Sequence, residues 1–268
     1  MTCPYCGSEV RNGSKFCENC GAQLRQTAPN PEAMKLATNT GMVLGREARR
    51  LRLEANYSGE EILTDRQYNL ILAGAVLWGI LVNIIMCFTV GNVLGYVNPI
   101  VFLILYFVLC FAGIKISSRS RNPWVSFLGY NMIVIPFGLL IASSVQYYLA
   151  IDAMIVSRAS FYTALITAGM VGAVMAFPEF FAKLGGMLLG CLFGMLICEI
   201  VLLIFHVEQT VTDWLCAGLF SLYIGYDLYR SQQFVKTADN AVDCALDVYL
   251  DIANLFVRLL SIMSRRRK

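Results

Sequence analysis

The sequence predicts an all-α integral membrane protein, a bundle of seven transmembrane helices, preceded by a small cysteine-rich module. Three observations predict it. The 268-residue chain is 57% hydrophobic and only 15% charged, with a mean hydropathy of +0.62, which argues against a soluble enzyme core. From Tyr68 onward, apolar runs recur at the length of about 20 residues that a helix needs to cross a bilayer. Charged side chains instead crowd residues 1–67 and the tail Arg265, Arg266, Arg267 and Lys268. The net charge of +3 is therefore no nucleic-acid signal, and no nucleic-acid partner is expected.

Residues 1–24 hold Cys3, Cys6, Cys17 and Cys20, two Cys-x-x-Cys pairs each followed by glycine, in Cys-Pro-Tyr-Cys-Gly and Cys-Glu-Asn-Cys-Gly. This spacing places four thiolates tetrahedrally around one zinc ion, and the glycines allow the tight turns that aim backbone amides at sulfur. The module reads as a minimal zinc ribbon. It is too small to own a hydrophobic core, so the metal's first task is to fold it. Met1 runs straight into the first pair rather than into a secretory signal, so the ribbon is expected in a reducing cytosol. Cys87, Cys110, Cys191, Cys198, Cys216 and Cys244 lie scattered in apolar surroundings and read as small hydrophobes.

Residues 25–66 form a polar linker with Pro29 and Pro31, then a short charged helix around residues 46–54. Its basic residues suit a membrane surface, while Glu47 and Glu54 suit an ordinary solvated helix equally well. Residues 67–264 form the seven-span membrane domain, with spans near 68–90, 97–116, 123–143, 161–177, 184–205, 211–229 and 242–263, and residues 265–268 are a basic tail. Pro136 falls inside the third span, where neighbouring helices can cover the freed carbonyl. Short connections force neighbouring spans to run antiparallel. Lys115, Arg119 and Arg121 follow span two, and Arg230 and Lys236 follow span six, so the N-terminus is expected in the cytoplasm. Seven full crossings would then place the Arg265–Lys268 tail outside. Either the seventh segment stops short of a full crossing or the tail is a tolerated exception.

Ionisable residues inside spans are costly and so point to function. Asp227 lies near the end of span six, and Asp243, Asp247 and Asp251 stack on one face of the last helix at intervals of four residues. That face must look at water, a cation or a base. Asp243 reads as the solvated start of its helix, whereas Asp251 lies near mid-bilayer. Glu199, in the middle of span five, either lines the same pathway or pairs with a neighbouring helix. Gly186, Gly190 and Gly194 recur at the spacing that lets helices approach closely. His206 is the only histidine, which excludes histidine-cluster metalloprotease chemistry. An intramembrane aspartyl protease needs Gly-x-Gly-Asp around its second acid, and Tyr249-Leu250-Asp251 lacks it. The chain is not expected to be an enzyme.

The Tyr226-Asp227 pair and the run Tyr249-Leu250-Asp251-Ile252-Ala253-Asn254-Leu255-Phe256 resemble the Bax inhibitor 1 family, also called transmembrane Bax inhibitor motif proteins. The spacing from Asp227 to Asp251 is similar to that of its bacterial members, and the resemblance covers about residues 66–264. It implies a bundle whose last helix is central, and a pH-sensitive calcium leak gated by Asp227 and Asp251 in a bacterial cell membrane. The family's arginine at the cytosolic end of span two, which latches onto the span-six aspartate, falls on Arg119, with Arg121 as the alternative. The span-two glutamate of bacterial relatives has no counterpart in 97–116. The partners so implied are membrane lipid and the transported Ca²⁺ ion.

Elementary electrostatics supports the same switch. Two carboxylates in a low-dielectric site cannot both stay charged at little cost, so a proton and a Ca²⁺ ion compete for them. A flux response between about pH 6 and 8 is expected, and Arg119 supplies a second setting by drawing one carboxylate away. Two aspartates with a few carbonyls and waters make a weak calcium site suited to passage. The alternative function is a membrane-anchored adaptor or stress regulator, whose ribbon recruits a cytosolic protein partner.

Overall fold

In the computed structural model, residues 62–90, 98–119, 122–205 and 210–265 are described, with Pro99, Ser118 and Arg119 described by backbone alone. All of them belong to the second of the chain's two compact units, residues 60–268. Among the described residues there are eight helices and no strand: α1 (Asp65–Thr89), α2 (Pro99–Arg119), α3 (Pro123–Ile151), α4 (Ala153–Ala176), α5 (Pro178–Ala182), α6 (Gly185–Ile204), α7 (Thr210–Ser231) and α8 (Ala238–Arg265). The ribbon and linker expected over 1–61 lie outside the described residues.

Local chemistry sets the helix ends. A capping box starts α1: the Gln67 N–H donates to Thr64 Oγ1 at 3.3 Å, and the Thr64 N–H donates to Gln67 Oε1 at 3.0 Å. Asn122 Oδ1 accepts from the Trp124 N–H at 3.0 Å, and Pro123 occupies the first position of α3, where its missing N–H costs nothing. Asp152 ends α3 and caps α4, accepting from the Met154 N–H at 2.8 Å in extended backbone.

The seven expected spans all appear as helices of 20 residues or more, and a five-residue α5, which sequence patterning did not anticipate, lies between α4 and α6. Five of the seven, α1, α2, α3, α4 and α6, are long and apolar enough to cross a bilayer. The other two, α7 and α8, carry acids that face inward and are less apolar, so length and composition alone support five of the seven expected spans among the described residues. The expected gap between residues 143 and 161 is also corrected. Helix continues through Ser143, Ser144 and Gln146, and only Asp152 separates α3 from α4. Ser144 Oγ donates to the Leu140 carbonyl at 2.9 Å, and Gln146 Nε2 donates to the Cys87 carbonyl at 2.8 Å, so these polar groups are satisfied without breaking the helix.

Helix α8 is the hub. It packs against α1, α3, α4 and α7, and buries most of its length, including Ala241, Val242, Ala245, Tyr249, Leu255 and Leu260. The outer helices turn apolar side chains away from the protein: Ile100, Phe111, Leu165, Leu196 and Ile197 are exposed, as lipid-facing residues must be. The chain is an integral membrane protein on this architecture. Among the described residues the glycine stripe of α6 does not bring a helix close, since a Cβ at Gly186, Gly190 or Gly194 would meet nothing of theirs within 4 Å.

Close approach occurs instead at Gly79 on α1. A Cβ there would lie 2.3 Å from Tyr130 Oη and 2.7 Å from the Tyr249 ring. Tyr249 is fully buried, exchanges hydrogen bonds with Asn83 at 2.8 and 3.1 Å, and stands 5.9 Å from the Tyr130 ring. Gly79→Ala is therefore expected to destabilise the α1–α3–α8 junction by about 1–3 kcal/mol, because no flexible chain end can yield there. Thermal melting in detergent checks it, and an unchanged midpoint would refute the packing argument.

Candidate functional site in the helix core

The polar residues of α8 repeat along one face. Asp243, Asp247, Asp251, Arg258 and Arg265 succeed one another at intervals of four, four, seven and seven residues, which at about 100° per residue keeps them within about 80° of arc. Helix α7 runs antiparallel beside them. Thr210 meets Arg265 and Asp213 Oδ2 accepts from Ser261 Oγ at 2.7 Å, a register that sets Asp227 level with Asp247. At 1.5 Å per residue, Asp243 and Asp251 then each lie about 6 Å from Asp227 along the axis. Tyr68 keeps the same register at the other end of the pair, with its hydroxyl donating to the Ser231 carbonyl at 3.0 Å and lying beside Cys244.

Asp227 and Asp251 are 4% and 8% exposed, so both carboxylates lie in the protein interior on adjoining helices. Asp247, level with Asp227, is half-buried. Asp243 departs from the expectation of a solvated helix start. It is 3% exposed and accepts a hydrogen bond from Ser117 Oγ of α2, because α8 begins at Ala238 and its first turns are already covered. One turn earlier, buried Asp239 accepts from Ser126 Oγ of α3. Ser117, Ser126 and Asp239 were not singled out from sequence, and serines facing acids on other helices leave no local signature.

Arg119 closes α2 two residues beyond Ser117, at the end of the bundle where Asp243 sits. Its side chain, Arg121 and the zinc-ligand candidates Cys3, Cys6, Cys17 and Cys20 lie outside the described residues. Lys236 pairs with Asp65 at this same end, and the Leu63 N–H donates to the Lys236 carbonyl at 2.8 Å, which ties the start of α1 to the α7–α8 connection.

Glu199 lies toward the opposite end of the bundle. It pairs with Arg258, whose Nη1 and Nη2 stand 2.6 and 2.8 Å from its two oxygens, and it accepts from Cys216 Sγ at 3.3 Å. Of its two readings, pairing with a neighbouring helix is the one its contacts match. Arg258 Nη1 also reaches Asp213 Oδ1 at 3.1 Å, and Arg265 Nη2 reaches Asp213 Oδ2 at 3.1 Å. The sequence does not single out Arg258, and it suggests Asp213 only as an acid of the loop after span five; their partners are far away along the chain.

A family model described as inhibitor of apoptosis-promoting Bax1 matches residues 63–268, the whole helical domain. The chain belongs to the Bax inhibitor family. The expected family and the central position of the last helix thus agree with this match and with the packing of α8. A zinc-ribbon domain model matches residues 2–24 of this Bax inhibitor family member. Two proteins from separate strains of Helicobacter pylori, each described as an uncharacterized protein, are 36% identical to it over 85 residues. That match takes in 31% of this chain and 36% of each relative, so the chain spans about a third of the length of the curated relatives it matches.

Proposed function

We propose that this Bax inhibitor family member is a passive, pH-sensitive Ca²⁺ leak rather than an enzyme, gated by Asp227 and Asp251. The observation that carries the reading is the burial of both carboxylates on adjoining helices about one turn apart in level. A membrane anchor has no need of such acids, and an isolated charge there is costly. Protons and Ca²⁺ compete for the pair. Asp247 and Asp243 extend the acidic track toward the α2 end of the bundle, where Arg119 is the latch that draws Asp227 away. In this reading seven helices cross a bacterial cell membrane, α8 among them, since its 28 residues extend about 42 Å. The N-terminus is cytoplasmic, on the side of Lys115, Arg230 and Lys236.

The ribbon holds one zinc through Cys3, Cys6, Cys17 and Cys20, a soft, four-thiolate donor set that suits zinc and folds a module of this size. The full chain is expected to carry one zinc per molecule by metal analysis, and any single Cys→Ser among the four is expected to weaken retention against a chelator about tenfold or more. Stoichiometric disulfides in place of metal would contradict this.

A second reading starts from the zinc-ribbon domain at residues 2–24 and takes it to recruit a cytosolic protein, with the helices as its anchor. Deleting residues 1–30 separates the two. Ca²⁺ flux into proteoliposomes that persists without the ribbon supports the leak, with the ribbon regulatory; absence of flux from both full-length and truncated chains favours the adaptor.

A further inference from the structure

The acidic track along α8 does not run through to the far end of the bundle. Two turns beyond Asp251, on the same face, stands Arg258, and two turns further Arg265. A cation that follows Asp243, Asp247 and Asp251 meets next the guanidinium of Arg258, held by two carboxylates from two other helices. Glu199 of α6 grips both of its terminal nitrogens at 2.6 and 2.8 Å, Asp213 of α7 takes Nη1 at 3.1 Å, and α8 carries the residue itself. Asp213, only 3% exposed, is in turn fixed by Ser261 Oγ at 2.7 Å and Arg265 Nη2 at 3.1 Å. Bidentate pairing of this kind fixes a guanidinium in direction as well as place.

We propose that Arg258 is the charge barrier that closes the far end of the cation track, and that Glu199 and Asp213 hold it across that track. The inference rests on the leak reading above, which supplies the ion. A guanidinium stays protonated at any physiological pH, so the barrier opens by displacement from its carboxylates rather than by losing its proton. Glu199 is then no step on the ion route but a positioning residue, which keeps the arginine where a divalent cation must pass. A purely structural clamp would need the same contacts, yet it would make no difference to permeation when its charge alone is altered.

The test uses the full chain in vesicles of phosphatidylethanolamine and phosphatidylglycerol loaded with a calcium dye. Arg258→Gln, which removes the charge and keeps a polar side chain, is expected to admit Ca²⁺ about tenfold faster than wild type. Arg258→Lys, which keeps the charge, is expected to leak less than Arg258→Gln, and adding Asp227→Asn to Arg258→Gln is expected to remove the gain. If Arg258→Gln does not yield folded protein, Glu199→Gln decides, because it loosens the arginine while Asp213 still holds it; faster entry than wild type supports the barrier. Entry at or below the wild-type rate in the folded variants, with Asp227→Asn still altering the wild-type flux, overturns the barrier and leaves the leak standing. No entry in wild type, Arg258→Gln or Glu199→Gln overturns the leak reading and the barrier with it.

Discussion

Asp213→Ala is expected to destabilise the membrane domain by about 3–5 kcal/mol, the largest effect of any single substitution considered for its stability. The carboxylate is buried in the first turn of α7, where the helix dipole favours an acid, and it accepts from Arg258, Ser261 and Arg265. Among the described residues, removing it leaves Arg265 without a carboxylate and Arg258 with Glu199 alone, in a half-buried site. Asp213→Asn keeps an oxygen for Ser261 and is expected to cost less. Thermal melting in detergent, followed by helix content, reads both. A midpoint for Asp213→Ala within about 1 °C of wild type would show that the pairing contributes little.

Asp227→Asn and Asp251→Asn are each expected to flatten the response of Ca²⁺ flux to pH, because either change leaves one carboxylate and removes the competition that makes the pair a switch. The two sites share a fate because they sit about one turn apart in level on packed helices. Asp243 has a different setting. Its carboxylate is engaged by Ser117 on α2, so Asp243→Asn is expected to loosen the α2–α8 contact more than it alters the pH response. Arg119→Ala is expected to shift the midpoint of the response without removing it. Dye-loaded proteoliposomes read all four variants, and equal flattening by Asp243→Asn would move the gate to the serine-bound end of the track.

How much of this could be read from the sequence differs by element. Apolar runs mark α1, α2 and α6 because lipid tolerates no polar face on an outer helix, and intramembrane Asp227 and Asp251 stand out against that background. The same logic fails where polar residues are satisfied locally. Ser144 and Gln146 looked like a turn, yet each bonds a backbone carbonyl and α3 simply continues. Asp243 resembled a solvated helix start, because nothing in its neighbourhood announces Ser117, which lies 126 residues away. Arg258 is a lone base in an apolar stretch whose acids are 59 and 45 residues distant. Its one local signal is its spacing of seven from Asp251, which places it on the face that the acids had already marked. The acids of α8 set it apart from the outer helices for a related reason: a helix wrapped by others need not be apolar, so composition alone does not mark it as a span.

The central claim, a proton-controlled Ca²⁺ leak through an aspartate pair, is tested most directly by Ca²⁺ entry into dye-loaded proteoliposomes from about pH 6 to 8. Wild-type protein is expected to admit Ca²⁺ at a rate that changes across this range, above that of protein-free vesicles, while the Asp227→Asn, Asp251→Asn double variant, reconstituted to the same density, is expected to give a flat profile. Superimposable profiles for the two proteins, or a wild-type rate equal to that of empty vesicles at every pH, would contradict it.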